Sequence, residues 1–220
     1  MATILYANSA DFQRKTTLND LISSFSELTQ KRALRYQFSQ DAYNFILGRI
    51  LLKEALKKIS VPPSTIENLH YGEDGKPFLE GIKFSIAHSQ NLVACAFHPS
   101  EELGLDIEFP RKLNRAHFKH CFNEIEWAAI QQDQSMDTFY LYWTQKEAIL
   151  KVNGAGLNRL MDIELLDQTA ARFYADEQKA DYSTWRLHNF RLEGEEAYAC
   201  LCMEKMMDVE TIKTTPELLK

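Results

Sequence analysis

No stretch of this sequence reaches the ~18 consecutive apolar residues that a membrane-spanning helix needs. The first residues, MATILYANSADF, lack a basic flank, a long apolar run and a cleavage site, so they read as a first strand rather than a secretory leader. The expected location is therefore the cytoplasm. No basic excess exists either: the net charge of -6 argues against general nucleic-acid binding. It leaves room for a local basic pocket that takes a phosphorylated ligand. No CxxC occurs, and the cysteines (Cys95, Cys121, Cys200 and Cys202) read as core thiols in a reducing compartment. His117, His120 and Cys121 lack a suitably spaced fourth zinc ligand. Neither a G-x-x-x-x-G-K-[ST] loop nor a G-x-G-x-x-G is present, which removes the ordinary nucleotide-binding motifs. A Ser85–His88–Asp106 hydrolase triad can be drawn, but no G-x-S-x-G elbow supports it.

What is present is enough apolar residue for one sizeable core or two small ones, at 45% of 220 positions. No low-complexity linker divides the chain; a faint internal echo does. Apolar residues at helical spacing run through Asp41–Lys58 and again through Asp137–Val152, and both stretches contain Lys-Glu-Ala (Lys53-Glu54-Ala55 and Lys146-Glu147-Ala148). Strand-like pairs follow each, at Lys83–Ala87 with Leu92–Phe97 and at Thr184–Leu192 with Ala197–Met203. Helix and strands recurring in one order predict an α/β fold of two similar halves, 1–103 and 104–220. Gly72-Glu73-Asp74 and Gly75-Lys76-Pro77 carry turn chemistry. Gly154 is placed to cap the second helix, and the tail from Thr214 to Lys220 is expected to be frayed or loosely docked.

Three segments hold residues suited to chemistry. In Gly104-Leu105-Asp106-Ile107-Glu108 the strand alternation puts both carboxylates on one face. Like charges this close repel, and a cation between them relieves it; paired hard oxygens suit magnesium sharing its sphere with a phosphate. A solvated edge strand would give the same pattern. In Trp143–Lys151 (WTQKEAILK), Glu147 and Lys151 share a helical face with Trp143, as a surface ion pair or as the border of a pocket. Phe84–Ser89 (FSIAHS) reads as a strand with His88 at its tip, able to touch a phosphate, donate a proton or cap a carbonyl.

Taken together and in order, GKP (Gly75–Pro77), FSIAHS, GLDIE and WTQKEAILK resemble the signature of the surfactin-type 4'-phosphopantetheinyl transferases. The resemblance implies a pseudo-dimer of two α/β halves with coenzyme A in the cleft between them, working as a monomer like the long members of the family. The shorter holo-acyl-carrier-protein synthase type assembles as a trimer. It implies magnesium, or manganese, held by Asp106, Glu108 and Glu147, and coenzyme A as substrate. Lys151 and His88 would contact the phosphates of coenzyme A, with Ser85 beside them, and Lys76 with Pro77 would border the adenine nucleotide. Glu147 would be general base, metal ligand or both. The partner would be an apo acyl or peptidyl carrier protein of fatty-acid, polyketide or nonribosomal-peptide synthesis. No nucleic acid or membrane enters.

Two positions depart from the family pattern. Ala87 stands where a serine often precedes the histidine, and Asn44 where a basic residue often approaches the 3'-phosphate of coenzyme A. Lys31, Arg32 and Arg35 are candidates to take over, and weak discrimination against coenzyme A lacking that phosphate is the expectation. Phe118, Phe122, Ile125 and Trp127 mark a segment that could dock the carrier or be core. The rival readings are a degenerate binder of coenzyme A or carrier, and another magnesium-dependent phosphoryl-transfer enzyme. Intact Asp106, Glu108, Glu147 and Lys151 argue against the first.

Overall fold

The computed structural model describes residues 1–72, 75–175 and 180–219. Of the turn expected around Gly72, Glu73 and Asp74 lie outside the described residues, as does Lys220 of the tail. In chain order the elements are β1 (Ala2–Asn8), α1 (Ser9–Gln13), α2 (Leu18–Ile22), α3 (Glu27–Ala33) and α4 (Ser39–Lys58). Next come β2 (His70–Tyr71), β3 (Pro77–Phe78), β4 (Lys83–Ser89), β5 (Leu92–His98) and β6 (Leu103–Glu108). The rest are α5 (Glu124–Gln132), α6 (Asp137–Asn153), β7 (Ile163–Leu165), β8 (Ala170–Tyr174), β9 (Tyr182–Phe190), β10 (Tyr198–Met203) and β11 (Val209–Lys213). They form two compact units, one of residues 1–71, 77–100 and 208–220, the other of residues 72–76 and 101–207.

The first unit carries a sheet in the order β11-β1-β5-β4. Leu47, Leu51 and Ala55 recur every fourth residue of α4, with Leu52 and Leu56 beside them, so one helical stripe buries against Leu5, Val93 and Cys95 of the sheet. Residues 208–220, assigned from sequence to the second half, belong here: β11 lies parallel to β1, with Ala2 opposite Val209. The tail is docked as far as Thr214, which is buried and donates its N–H to the Tyr6 carbonyl at 2.7 Å. Glu217 pairs with Lys15. A small ribbon of β2 and β3 sets Tyr71 opposite Pro77 and His70 opposite Phe78.

The second unit carries a sheet in the order β6-β10-β9-β8-β7, with antiparallel pairing throughout its described strands. Helix α6 packs on β6 and β10. Its buried stripe includes Ala148, Ile149 and Val152, in one core with Leu187, Cys200 and Cys202. Lys146 breaks the rule that lysines stay outside. It is 0% exposed, yet its ammonium reaches Glu126 at 2.7 Å and the carbonyls of Cys121 and Leu160 at 3.2 Å each. Glu126 also accepts from the Asn123 N–H as the N-terminal capping box of α5. Helix α6 ends at Gly154 in a left-handed conformation, φ 70°, as its sequence predicts.

Each unit thus holds a long helix against antiparallel strands. The strand expected at Thr184–Leu192 lies at Tyr182–Phe190; Leu192 is buried without being part of it. All four cysteines are buried thiols. No helix among the described residues is long and apolar enough to cross a membrane.

Candidate active site

The second unit assembles its carboxylates through one close approach. Gly104, Asp106 and Glu108 alternate along β6 and so share a face. A Cβ on Gly104 would lie 2.1 Å from the Ala148 carbonyl oxygen and 2.6 Å from the Val152 nitrogen, so the backbone of α6 rests directly on this glycine. Ala148 and Val152 adjoin Glu147 and Lys151 in sequence, so the contact that seats the helix also delivers those two side chains.

Lys151 Nζ donates to Asp106 Oδ1 at 2.6 Å. Asp106 is 3% exposed, and its other oxygen, Oδ2, has no hydrogen-bond partner among the described residues. Burial pushes the Asp106 carboxyl up to about 7: Lys151 pulls against this, while Glu147 and Glu108 push further. Burial likewise raises Glu147, again opposed by Lys151 and helped by Glu108. Burial would lower Lys151, but Asp106 and Glu147 outweigh it and hold the ammonium above its ordinary value. The site is a cluster of three carboxylates in mutual range, balanced by one cation.

A small cavity of about 40 Å³ lies beside Trp143, with Glu108, Arg111 and Phe118 in its walls, but Glu147 and Lys151, expected to border a pocket there, do not line it. Lys76 also reaches this unit's helix, donating to the Val152 carbonyl at 2.8 Å. In the first unit, His88 is exposed on β4 and Ser85 is buried; three residues apart on a strand, they face opposite ways. The paper triad of Ser85, His88 and Asp106 therefore fails at its first pair. Pro77 starts β3, and Arg32 and Arg35 are exposed in and just after α3. Phe122 and Trp127 are core and Phe118 packs against it, so of the four residues that mark the suggested docking segment Ile125, 83% exposed, is the one that faces outward. Two contributors escaped sequence reading: Gly104, whose contact lies across the fold, and the buried Lys146.

Among the described residues no three His, Cys, Asp or Glu side chains stand close enough to be a ready-made metal cage. The donor chemistry still fits a hard divalent cation. A buried carboxylate oxygen without a partner, amid two further carboxylates that raise its proton affinity, is an atom in need of positive charge.

Residues 102–202, which contain this cluster, match the model of the 4'-phosphopantetheinyl transferase superfamily. The 4'-phosphopantetheinyl transferase HetI of Nostoc sp. is 32% identical over 70% of this chain and 69% of its own length. The transferase gsp of Aneurinibacillus migulanus is 27% identical over 98% of this chain and 91% of its own. The transferase Sfp of Bacillus subtilis is 31% identical over 66% and 67%. With the motifs in order and Asp106, Glu147 and Lys151 gathered on one face, this chain belongs to the 4'-phosphopantetheinyl transferase superfamily.

Proposed function

We propose that this chain transfers the 4'-phosphopantetheine group of coenzyme A to a serine of an apo acyl or peptidyl carrier protein, acting as a holo-carrier-protein synthase of the long, monomeric kind in the cytoplasm. The observation that carries the reading is the Lys151–Asp106 contact of 2.6 Å beside the unpartnered Asp106 Oδ2. Asp106, Glu108 and Glu147 would hold magnesium or manganese. Such an ion, when bound, would neutralise charge building on the pyrophosphate.

The chain's own groups supply the rest. Lys151, kept cationic by its carboxylate neighbours, binds the pyrophosphate. His88 binds the phosphates as well, and Lys76 and Pro77 border the adenine nucleotide. The serine oxygen forms a bond to the phosphorus that bears pantetheine, the bond from that phosphorus to the bridging oxygen breaks, and 3',5'-ADP leaves. Glu147 takes the serine proton. Little covalent work falls to the protein; positioning and electrostatics supply the rate.

The test is mass spectrometry of an apo carrier protein mixed with coenzyme A, magnesium and this protein. A gain of one phosphopantetheine mass supports the reading. An unchanged apo carrier, or release of the arm from a holo carrier, overturns it.

A further inference from the structure

Gly104 seats one end of α6 on β6 by close contact; hydrogen bonds fasten the other end. Tyr140, two turns before Glu147 on α6, is 3% exposed. Its hydroxyl accepts from the Arg111 N–H at 2.8 Å and donates to the Arg111 carbonyl at 2.9 Å. One phenol thus satisfies both backbone groups of a single residue. It does so three positions beyond Glu108, the last residue of β6. Pro110, between them, has no N–H with which to prolong the ladder.

The strand and the helix run past one another in opposite senses. Gly104 meets Ala148 and Val152 near the end of α6, and Arg111 meets Tyr140 near its start. Asp106 and Glu108 on the strand and Glu147 on the helix all lie between these two pins. The phenol is itself held. Its ring stacks on Tyr198, with centres 5.3 Å apart and planes 19° from parallel, and Tyr198 is the residue of β10 that pairs with Glu108. The Tyr198 hydroxyl donates to Asp137, the first residue of α6, and the Arg191 guanidinium sits 3.5 Å from the centre of the Tyr198 ring. Glu108, Arg111 and Tyr140 line one wall system, that of the 40 Å³ cavity beside Trp143. A carboxylate on the last residue of a strand is steadied by the ladder on its inner side alone. Ligands that must be gathered when an ion arrives cost affinity, and a fixture just beyond the strand removes that cost.

We propose that Tyr140 is a positioning residue: its hydroxyl fixes the chain that leaves β6 and so keeps the Glu108 carboxylate in place for a divalent ion shared with Asp106 and Glu147. It touches neither the ion nor the substrate. The assignment rests on the reading of these carboxylates as the metal ligands of a transferase, and it adds the residue that keeps one of them still.

Tyr140→Phe deletes the hydroxyl and keeps the ring, so the stack and the core remain. Manganese binding with coenzyme A present, followed by electron paramagnetic resonance, tests the idea without an activity readout. The variant should bind manganese roughly threefold to tenfold more weakly. Transfer should need correspondingly more magnesium for half its maximum, while the rate at saturating magnesium stays within about twofold of the unmodified protein. Tyr43→Phe is the control for a purely structural loss. Tyr43 is 7% exposed in the first unit, and its hydroxyl donates to the Thr16 carbonyl at 3.0 Å. It should melt lower, as Tyr140→Phe does, and leave manganese binding unchanged. Equal manganese affinity in Tyr140→Phe and the unmodified protein, or an equal fall in Tyr43→Phe, overturns the assignment. Carrier transfer measured in parallel separates the two ideas. Transfer with no change of metal dependence in Tyr140→Phe leaves the transferase standing and removes the positioning role. Weaker manganese binding in Tyr140→Phe, with no transfer even by the unmodified protein, does the reverse.

Discussion

A methyl group on Gly104 would fall 2.1 Å from the carbonyl oxygen of Ala148, a backbone atom that cannot swing aside. Gly104→Ala must therefore lift α6 off β6. Overpacking of this kind costs about 1–3 kcal/mol, and each kcal/mol lowers the melting temperature of a chain this size by about 2–4 °C. The variant should melt lower and also lose transfer, because the same shift carries Lys151 away from Asp106. Undiminished transfer in Gly104→Ala would show that the helix seat does not position the site.

Asp106→Asn should fold normally and turn over at least about a hundredfold more slowly. The carboxylate is buried against two others, so its charge is a burden to the fold, and an amide of the same shape removes it. Lys151, 31% exposed, keeps access to water when its partner is neutralised. Stripping divalent ions with excess EDTA should abolish transfer by the unmodified protein, and magnesium should restore it. An unfolded Asp106→Asn, or full transfer in EDTA, would contradict the ligand role.

The Lys146–Glu126 pair makes the opposite prediction. Here the ammonium is fully enclosed at 2.7 Å from the carboxylate, and Glu126 Oε1 already lacks a partner among the described residues. Removing only the cation, in Lys146→Met, strands a buried charge and should cost about 3–5 kcal/mol in urea unfolding. Adding Glu126→Gln, which keeps the cap acceptor of α5 but not the charge, should recover a large part of that. If the double variant is as unstable as the sum of the singles, the two groups are not coupled.

Acid should act through Asp133. Its carboxylate accepts from the Ser135 hydroxyl at 2.6 Å, the Ser135 N–H at 2.8 Å and the Thr138 N–H at 2.7 Å, fastening the entry to α6. These bonds, the Ser135 hydroxyl foremost, hold it well below the usual carboxylate range. A carboxyl depressed in the fold stabilises it above the unfolded value of about 4, and that contribution drains away as pH falls toward the lower folded value. The melting temperature of Asp133→Asn should therefore trail that of the unmodified protein near neutrality and converge with it in acid. A gap that stays constant from pH 7 to pH 3 would rule this out.

Much of this was legible from the sequence because it is local. The apolar stripe of α4, the alternation that pairs Asp106 with Glu108 and the glycine that ends α6 each follow from residues a few positions apart. The misses share the opposite property. Gly104 looks like any strand glycine until Ala148 arrives above it. Lys146 read as part of an echo between helices, since nothing beside it in sequence says that Glu126 and the carbonyls of Cys121, Leu160 and Ile163 will enclose its charge. Arg49 belongs to no motif, and the Tyr71 hydroxyl to which it donates is brought to it by the fold.

The parallel pairing of β11 with β1 has a consequence for how the molecule is made. The first unit needs β11, which follows the whole of the second unit in sequence, to complete its sheet, whereas the second is, apart from residues 72–76, one uninterrupted stretch. Of these two strands β1 leaves the ribosome well before β11, so one edge of β1 must wait, open to mispairing, until β11 follows. Maturation then runs against the order of synthesis, and the unit that is begun first is the last to be finished.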